Sequence, residues 1–522
     1  LTREYQSGTE LQKSILTGVN LLADNVASTL GPRGRNVILH QKGKNPIVTK
    51  DGVTVSNFIE TEDSFENAGV QILKQAASQT NNTAGDGTTT TTVLARAIVE
   101  HAQKYLAAGA SPIELKRGID KATIRVVRAL EELSSPVMSE EDIAHVATIS
   151  ANGDETIGRL ISTAVDLAGK DGAITIEEAR SVDTSLDVVE GFRFDSGYLA
   201  NAFITDERNG LVNYENPLIL VTDSKIETVE ELMPVLEVVA RESRPFVIVA
   251  ENVEGQALAA LIMNTTRGTL RVTAVKAPRY GEERRNILKD LAISVGAKFI
   301  SRESGVKLAE VKLQDLGTAK KIEVLKNFTT IVDGRGDYNE IEKKIESLKA
   351  ELSQTEALYE CEKIQERITR LASGIAIIRV GAATEVEMIE KKHRIEDALS
   401  AVKSAQEEGV VAGGGTALLR AVKDLEVDTD TEEQEFGVEI VKLAAKEPLR
   451  QMAINAGESP DLIVKLVEEQ EDGEGYNFVS RKIVNLKDAG IIDPTKVTRC
   501  ALENAASAAS TLITTNHCVI AS

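Results

Sequence analysis

The run Ala84-Gly85-Asp86-Gly87-Thr88-Thr89-Thr90-Thr91-Thr92 sets two glycines, one carboxylate and a row of hydroxyls between two helical stretches. Glycines let a backbone approach an anion closely, and a helix N-terminus offers unpaired N–H groups at the positive end of its dipole. The threonine hydroxyls add donors, and a carboxylate at position 86 is suited to holding Mg2+ against a phosphate. The same residues also suit a threonine-rich loop that does no more than cap a helix. No GxxxxGK[ST] pattern occurs, so a P-loop is excluded.

Two further turns, Leu30-Gly31-Pro32-Arg33-Gly34 and Lys50-Asp51-Gly52, have the composition of phosphate-contacting loops and equally that of plain turns. Asp397 falls on a charged helical stretch, where a solvated face is the ordinary reading. Gly413-Gly414-Gly415 is either a flexible connector or a place where a ligand comes close to the backbone. The five histidines are scattered without HExxH or paired spacing, so none is assigned as ligand or base. Cys361, Cys500 and Cys518 are odd in number and widely spaced, against a disulfide framework or a zinc site. They read as structural thiols in a reducing compartment.

These residues need elements to hold them. A chain of 522 residues exceeds a single core of about 250–300 residues and divides into several domains. Aromatic residues are 3 % of the chain and Trp is absent, so the cores must be aliphatic. A net charge of −21 argues against a general nucleic-acid binder and against a ligand of anionic membranes. No apolar run reaches about 18 residues, and the first residues read as neither a signal nor a transit peptide.

Leu11, Ile15, Val19, Leu22, Val26 and Leu30 recur at helical spacing until Gly31-Pro32. Asn36 to Leu39 and Ile47 to Val55, around the Lys50-Asp51-Gly52 turn, predict short strands. Helical periodicity resumes near Phe65, after Thr88, and from Ile113 to Leu133. A strand is expected from Ala173 after a Lys170-Asp171-Gly172 turn. Between Pro217 and Ser301 apolar strand runs alternate with helical stretches, the pattern of βαβ crossovers and a parallel sheet. There Pro234 should kink its helix or mark a late start. Leu232 and Leu236 stand four apart on one of these helices, and Leu258, Ile262 and Met263 crowd another. Such positions are either core or an exposed apolar binding surface. From Tyr338 to Leu371 two short heptad-like stretches predict an antiparallel helical hairpin, and helices follow to the C-terminus.

Taken in order, several stretches resemble the group I chaperonins of bacteria and organelles. They are TLGPRGRNVIL at 29–39, TKDGVTV at 49–55, AGDGTTTTTVLA at 84–95, EGFRFDSGYLANAFIT at 190–205, VGAATEVEMIEKKHRIEDAL at 380–399, EEGVVAGGGTALLR at 407–420, GYNF at 475–478 and GIIDPTKVTR at 490–499. The resemblance spans essentially the whole chain. It implies a multi-domain α+β protein with the chaperonin fold, assembled into rings. A mainly α equatorial ATPase domain would comprise 1–132 with 408–522. A small α/β intermediate hinge domain would take 133–189 with 376–407, and an α/β apical domain 190–375.

The resemblance further implies an ATP-hydrolysing chaperone of non-native polypeptides, using ATP, Mg2+ and K+. Thr29, Leu30, Gly31, Pro32 and Lys50 would line the nucleotide and potassium-associated pocket. Asp86 would coordinate Mg2+, and Gly87, Thr88, Thr89 and Thr90 would contact phosphates. Asp51 would lie near the γ-phosphate and Asp397 would orient the attacking water. Gly414, Asn477, Phe478, Val479 and Asp493 would hold the adenosine. Tyr198, Phe203, Leu232, Leu236, Leu258, Ile262 and Met263 would contact substrate and a co-chaperonin lid. The partners implied are unfolded or misfolded chains and copies of itself in a seven-membered ring, in the cytoplasm or an organelle matrix. Three positions depart from the family pattern: Ala202 where an aromatic is common, Ser196 in place of a basic partner for Glu385, and Ser459 in place of an acid near Arg450.

Overall fold

The computed structural model describes residues 3–43, 45–168, 173–179, 181–355, 357–372 and 374–521, and the expected turn at 170–172 lies outside them. The chain forms two compact units, 1–162 with 389–522, and 163–388.

The first unit is a stack of long helices whose apolar stripes meet. In the helix Gly8–Ala27, Leu11, Ile15, Val19, Leu22 and Val26 are all buried, as the periodicity requires. The helix Thr495–Thr514 packs against Ser64–Ala84, Thr88–Ala107 and Pro112–Leu133. Its Ala501, Leu502, Ala505, Ala506 and Ala509 let those neighbours approach closely. Each leucine, isoleucine or valine so enclosed contributes about 1.5–3 kcal/mol. The helix Pro112–Leu133 begins where Ser111 accepts the Glu114 N–H and Pro112 takes a first-turn position.

Sequence reading and structure part company at 52–55. The strands are Val37–Leu39 and Ile47–Thr49, paired antiparallel, but Gly52–Phe58 is a helix. The Asp51 carboxylate accepts the N–H groups of Val53 and Thr54, and this cap outweighs the strand preference of the valines. The chain ends pair as well, Arg3–Ser7 running antiparallel to His517–Ala521.

In the second unit the expected crossovers are present. Leu218–Val221, Phe246–Ala250 and Val272–Lys276 lie parallel, with the helices Val229–Glu242 and Gly255–Thr266 between them in sequence. Pro234 sits inside the first helix. The sheet continues through antiparallel Gly317–Val324, Thr329–Gly334, Ser185–Phe194 and Gly374–Val380, and closes on Ala173–Glu178 parallel to the last of these. The helices Tyr338–Gln354 and Leu358–Ala372 pack on one another and bury Leu348, Ile364, Ile368 and Leu371. Arg367 from this pair holds the fully buried Asp290 through two bonds of 2.7 and 2.8 Å.

Candidate functional site

The helix Ser64–Ala84 ends at Gly85 (φ 76°), and Thr88–Ala107 starts after Gly87 (φ 95°). Both glycines are in the left-handed region that other residues avoid, so the chain reverses tightly and presents Asp86 between two helix ends. Glycine at 85 also permits a close crossing. A Cβ there would stand 2.1 Å from the Cβ of Ser400, which belongs to the helix Glu385–Glu408. Ser404 of that helix donates to the Ala84 carbonyl at 2.8 Å. Asp397 lies one turn before Ser400 on the same helix, so the carboxylates at 86 and 397 belong to segments packed on each other.

Asp86 accepts from the Gly87 N–H at 2.6 Å and from the Ser150 hydroxyl at 3.0 Å. It is half-buried, with solvent still reaching part of the side chain. Burial raises its pKa, and the charge of Asp51 adds to the effect. The helix Thr88–Ala107 has no side-chain cap, so its first-turn amides remain open. The Thr88 hydroxyl is buried without a partner. Thr91 bonds back to the Gly87 carbonyl at 2.9 Å, and the Thr89 hydroxyl lies 3.5 Å from that of Thr29. Thr90 is half-buried on the same turn. A Cβ at Gly52 would come within 2.3 Å of the Thr89 hydroxyl, which fixes the capped Asp51 turn beside the threonine loop.

The loop after Gly8–Ala27 forms the adjoining wall. Thr29 is buried, its hydroxyl on the Val26 carbonyl, and Gly31 (φ 80°) rests on Met452. The ammonium of Lys50 donates to the Gly31 carbonyl at 2.9 Å, and desolvation lowers its pKa. Leu30 packs against a small separate core with Met452, Tyr476 and Phe478, while Pro32 is exposed.

Opposite, the strands Val410–Ala412 and Ile492–Pro494 pair antiparallel, with Val411 against Asp493. The Asp493 carboxyl is pushed up to about 6, first by burial and then by the charge of Asp86. Gly414 (φ 65°) leaves open space, its nearest would-be neighbour being the Tyr476 carbonyl at 3.8 Å. Asn477 accepts the Val479 and Ser480 N–H groups and closes the turn. Phe478 is buried edge-on to Tyr476, and Val479 is exposed. Arg33 reaches the carbonyls of Phe478 and Val479 at 3.3 Å each, joining this turn to the 29–34 loop.

The structure therefore sets the 29–34 loop, the Asp51 turn, the threonine loop and the Asp493 strand near the Asp86 carboxylate, with the helix carrying Asp397 packed on the same loop. Among the described residues no group of three or more His, Cys, Asp or Glu forms a ready metal site. A magnesium ion that keeps water and takes phosphate oxygens needs only one or two carboxylates. Asp86 has lone pairs beyond its two hydrogen bonds, and its raised pKa marks an uncompensated negative site. The donor set fits.

The expected apolar contacts in the second unit require a correction. Phe203 (0 % exposed), Leu232 (1 %) and Leu236 (6 %) are core residues. Leu232, Val235, Leu236 and Val239 form the stripe that packs the helix down, so the spacing marked the buried face. Tyr198, Leu258 and Ile262 are half-buried, and Met263 is 51 % exposed. Off the stripe, Met233 is 47 % exposed, and its helix packs beside the one carrying Met263. Sequence reasoning missed Met233, although its place one residue off the packing stripe was a usable signal. It also missed Ser150, which has no motif around it.

Comparison with known proteins bears on the chain as a whole. Residues 22–522 match the model of the TCP-1/cpn60 chaperonin family. The crystal structure of the chaperonin gp146 from the bacteriophage EL 2 (Pseudomonas aeruginosa), in the presence of ATP-BeFx, superposes with a TM-score of 0.65. That likeness covers 99 % of each chain at 22 % sequence identity.

Proposed function

The chain belongs to the TCP-1/cpn60 chaperonin family, whose role is ATP-dependent chaperoning of protein folding, and from this premise we propose how its residues perform that role. The cleft around Asp86 binds ATP and hydrolyses it. The observation carrying this reading is the packing of the Asp397 helix on the Asp86 loop through Ser400, Ser404 and Gly85. Open amides after Gly87 and the hydroxyls of Thr88, Thr89 and Thr90 receive phosphate oxygens. Gly414 and the turn 477–479 flank the adenosine. Asp86 would hold magnesium, which neutralises phosphate charge when bound. Asp397 orients water for in-line attack while Asp51, already held by its own cap, shapes the space beside the phosphates. Phosphoryl transfer of this kind needs positioning rather than a covalent nucleophile. The carbonyl of Gly31 is engaged by Lys50, whose ammonium supplies positive charge where the resemblance places potassium.

The second unit, broadly residues 190–375 of the three-domain scheme, captures non-native chains on the exposed methionine side of its helix pair. Assembly into rings is supported by two short two-stranded sheets with exposed apolar residues. The hairpin exposes Ile38, Ile47 and Val48, and the terminal pair exposes Tyr5 and Val519, so one copy can add strands to the next. Arg450 is engaged within its own chain by Asp461 and Glu447, and Ser459 brings no acid, which favours a weak contact between rings. No helix among the described residues is long and apolar enough to cross a membrane. The three cysteines are free, as suits the cytoplasm or an organelle matrix.

The test is refolding of a chemically denatured model enzyme by the full chain, with and without ATP and magnesium. The expected result is a yield that rises only with hydrolysable nucleotide. Equal yields in both arms would reduce the protein to a passive holder of apolar segments.

A further inference from the structure

Arg420 is a buried guanidinium, 9 % exposed, on the short helix Thr416–Ala421 that follows Gly413–Gly415. One of its nitrogens donates to three backbone carbonyls: Val467 at 2.8 Å, Glu471 at 3.0 Å and Glu474 at 3.3 Å. Val467 lies near the C-terminal end of the helix Pro460–Glu468, where a cation meets the negative end of the dipole. Glu474 opens the strand Glu474–Asn477, which runs straight into the turn holding Asn477, Phe478 and Val479. One side chain thus connects the helix behind Gly414 to the strand that delivers residues 477–479. Beneath both, Leu419, Val467, Tyr476 and Phe478 share the small core that also receives Leu30.

The remaining nitrogens of Arg420 are spent differently. Nε and Nη1 are buried with no hydrogen-bond partner, and the nearest carboxylate, of the exposed Asp472, stands 3.9 Å from Nε. A guanidinium retained purely for stability would be expected to use its full fork of donors, because an unpaired buried donor is a liability. The geometry points to Arg420 as a positioning residue for the base side of the nucleotide cleft, setting the distance between Gly414 and the 477–479 turn. This rests on the ATP-site reading above.

Among the described residues no hydrogen bond or ion pair joins Arg420 to the 84–90 loop or to the Asp397 helix. Its loss should therefore change how the adenosine is gripped and leave the phosphate end intact. The experiment compares Arg420→Met and Arg420→Lys with the parent as full-length assembled protein. It measures steady-state ATP hydrolysis and its inhibition by inorganic tripolyphosphate, which has no base. In Arg420→Met, KM for ATP should rise about tenfold, since the lost bonds are charge-assisted. Its kcat should stay within about twofold and tripolyphosphate inhibition should be unchanged, the pattern of lost uniform binding. Arg420→Lys should fall between the two. If methionine prevents folding, Arg420→Gln, which keeps one donor, is read for the same split. A parent-like KM, or equal weakening of ATP and tripolyphosphate, would overturn the assignment. A parent that neither binds nor hydrolyses ATP would instead remove the site reading, and the inference with it.

Discussion

The cleft around Asp86 and the helix pair Val229–Glu242 and Gly255–Thr266 assemble their surfaces from opposite materials. The cleft is made of glycines in left-handed conformations, open amides and half-buried carboxylates. These are features that a stability-driven fold avoids, so they stand out in sequence as well as in space. The helix pair is made of leucines, valines and methionines, which serve a core and a binding face equally well. There only the three-dimensional packing separates the two uses. Unusual chemistry announces itself, whereas apolar surface must be located by exposure.

The largest effect should come from the cleft. Asp397→Ala removes the carboxylate proposed to orient the water and leaves the residues of the Asp86 loop, and Ser400 and Ser404 that pack on it, unchanged. ATP turnover should fall about 10²–10⁴-fold with nucleotide affinity retained. Single-turnover hydrolysis alongside equilibrium nucleotide binding checks it. Parent-like turnover would break the idea that the cleft's chemistry is written in its carboxylates. On the other side of the comparison, Leu236→Ala should destabilise the second unit by about 2–4 kcal/mol, because it empties a core position. A denaturation midpoint unchanged from the parent would return Leu236 to the exposed class.

How much was legible follows from which forces are local. The reversal at Gly85–Gly87, the crossovers between 218 and 276, and the hairpin of helices after Tyr338 depend on neighbours in sequence, and periodicity with glycine placement exposed them. The helix Gly52–Phe58 was misread because Val53 and Val55 alternate as a strand would, while a single Asp51 carboxylate capping two amides decided otherwise. Ser150 and Arg420 were invisible for another reason. Each acts on a segment far away in sequence, Ser150 on Asp86 and Arg420 on the carbonyls at 467–474. No local pattern encodes such a partner. On the helix Val229–Glu242 the spacing of Leu232 and Leu236 marks a stripe without saying whether solvent or core lies over it, and the core does, whereas Met263 on the adjoining helix is exposed.

A smaller effect tests the burial of Asp493 and, after it, its crowding by Asp86. Asp493 ionises in the folded chain at about 6, against an ordinary aspartate value of about 4. Between those values the folded chain holds a proton that the unfolded chain has released. Stability therefore falls as pH rises through this window; the contribution is complete below about 4 and gone above about 6. Asp493→Asn removes the dependence. The parent should lose on the order of 1–2 kcal/mol relative to the variant across that interval, read as the difference in thermal unfolding. A cation supplied with nucleotide should shrink the difference, because it relieves the repulsion from Asp86. A pH-independent difference would mean that Asp493 is neither buried nor crowded by Asp86 as the structure has it.

The smallest stability change should belong to Met233, and its smallness is the point. At 47 % exposure and off the packing stripe, Met233→Ser removes little buried area, so the midpoint of unfolding should shift by no more than about 0.5 kcal/mol. Met263→Ser, on the adjoining helix and 51 % exposed, should behave the same way. Capture of a denatured client should nevertheless weaken several-fold, since flexible thioether side chains on a surface adapt to many apolar partners. The double variant should weaken it further, because both methionines stand on neighbouring helices that pack together. Fluorescence anisotropy of a labelled non-native chain, without nucleotide, reads this while ATP turnover serves as the control. If client binding were unchanged in the double variant yet lost in a stabilised background carrying Leu236→Ala, the binding face would lie with the stripe after all. Exposure in this arrangement would then be a poor guide to where an apolar partner docks, and the contrast between cleft and helix pair would have to be drawn from a different conformation of the second unit.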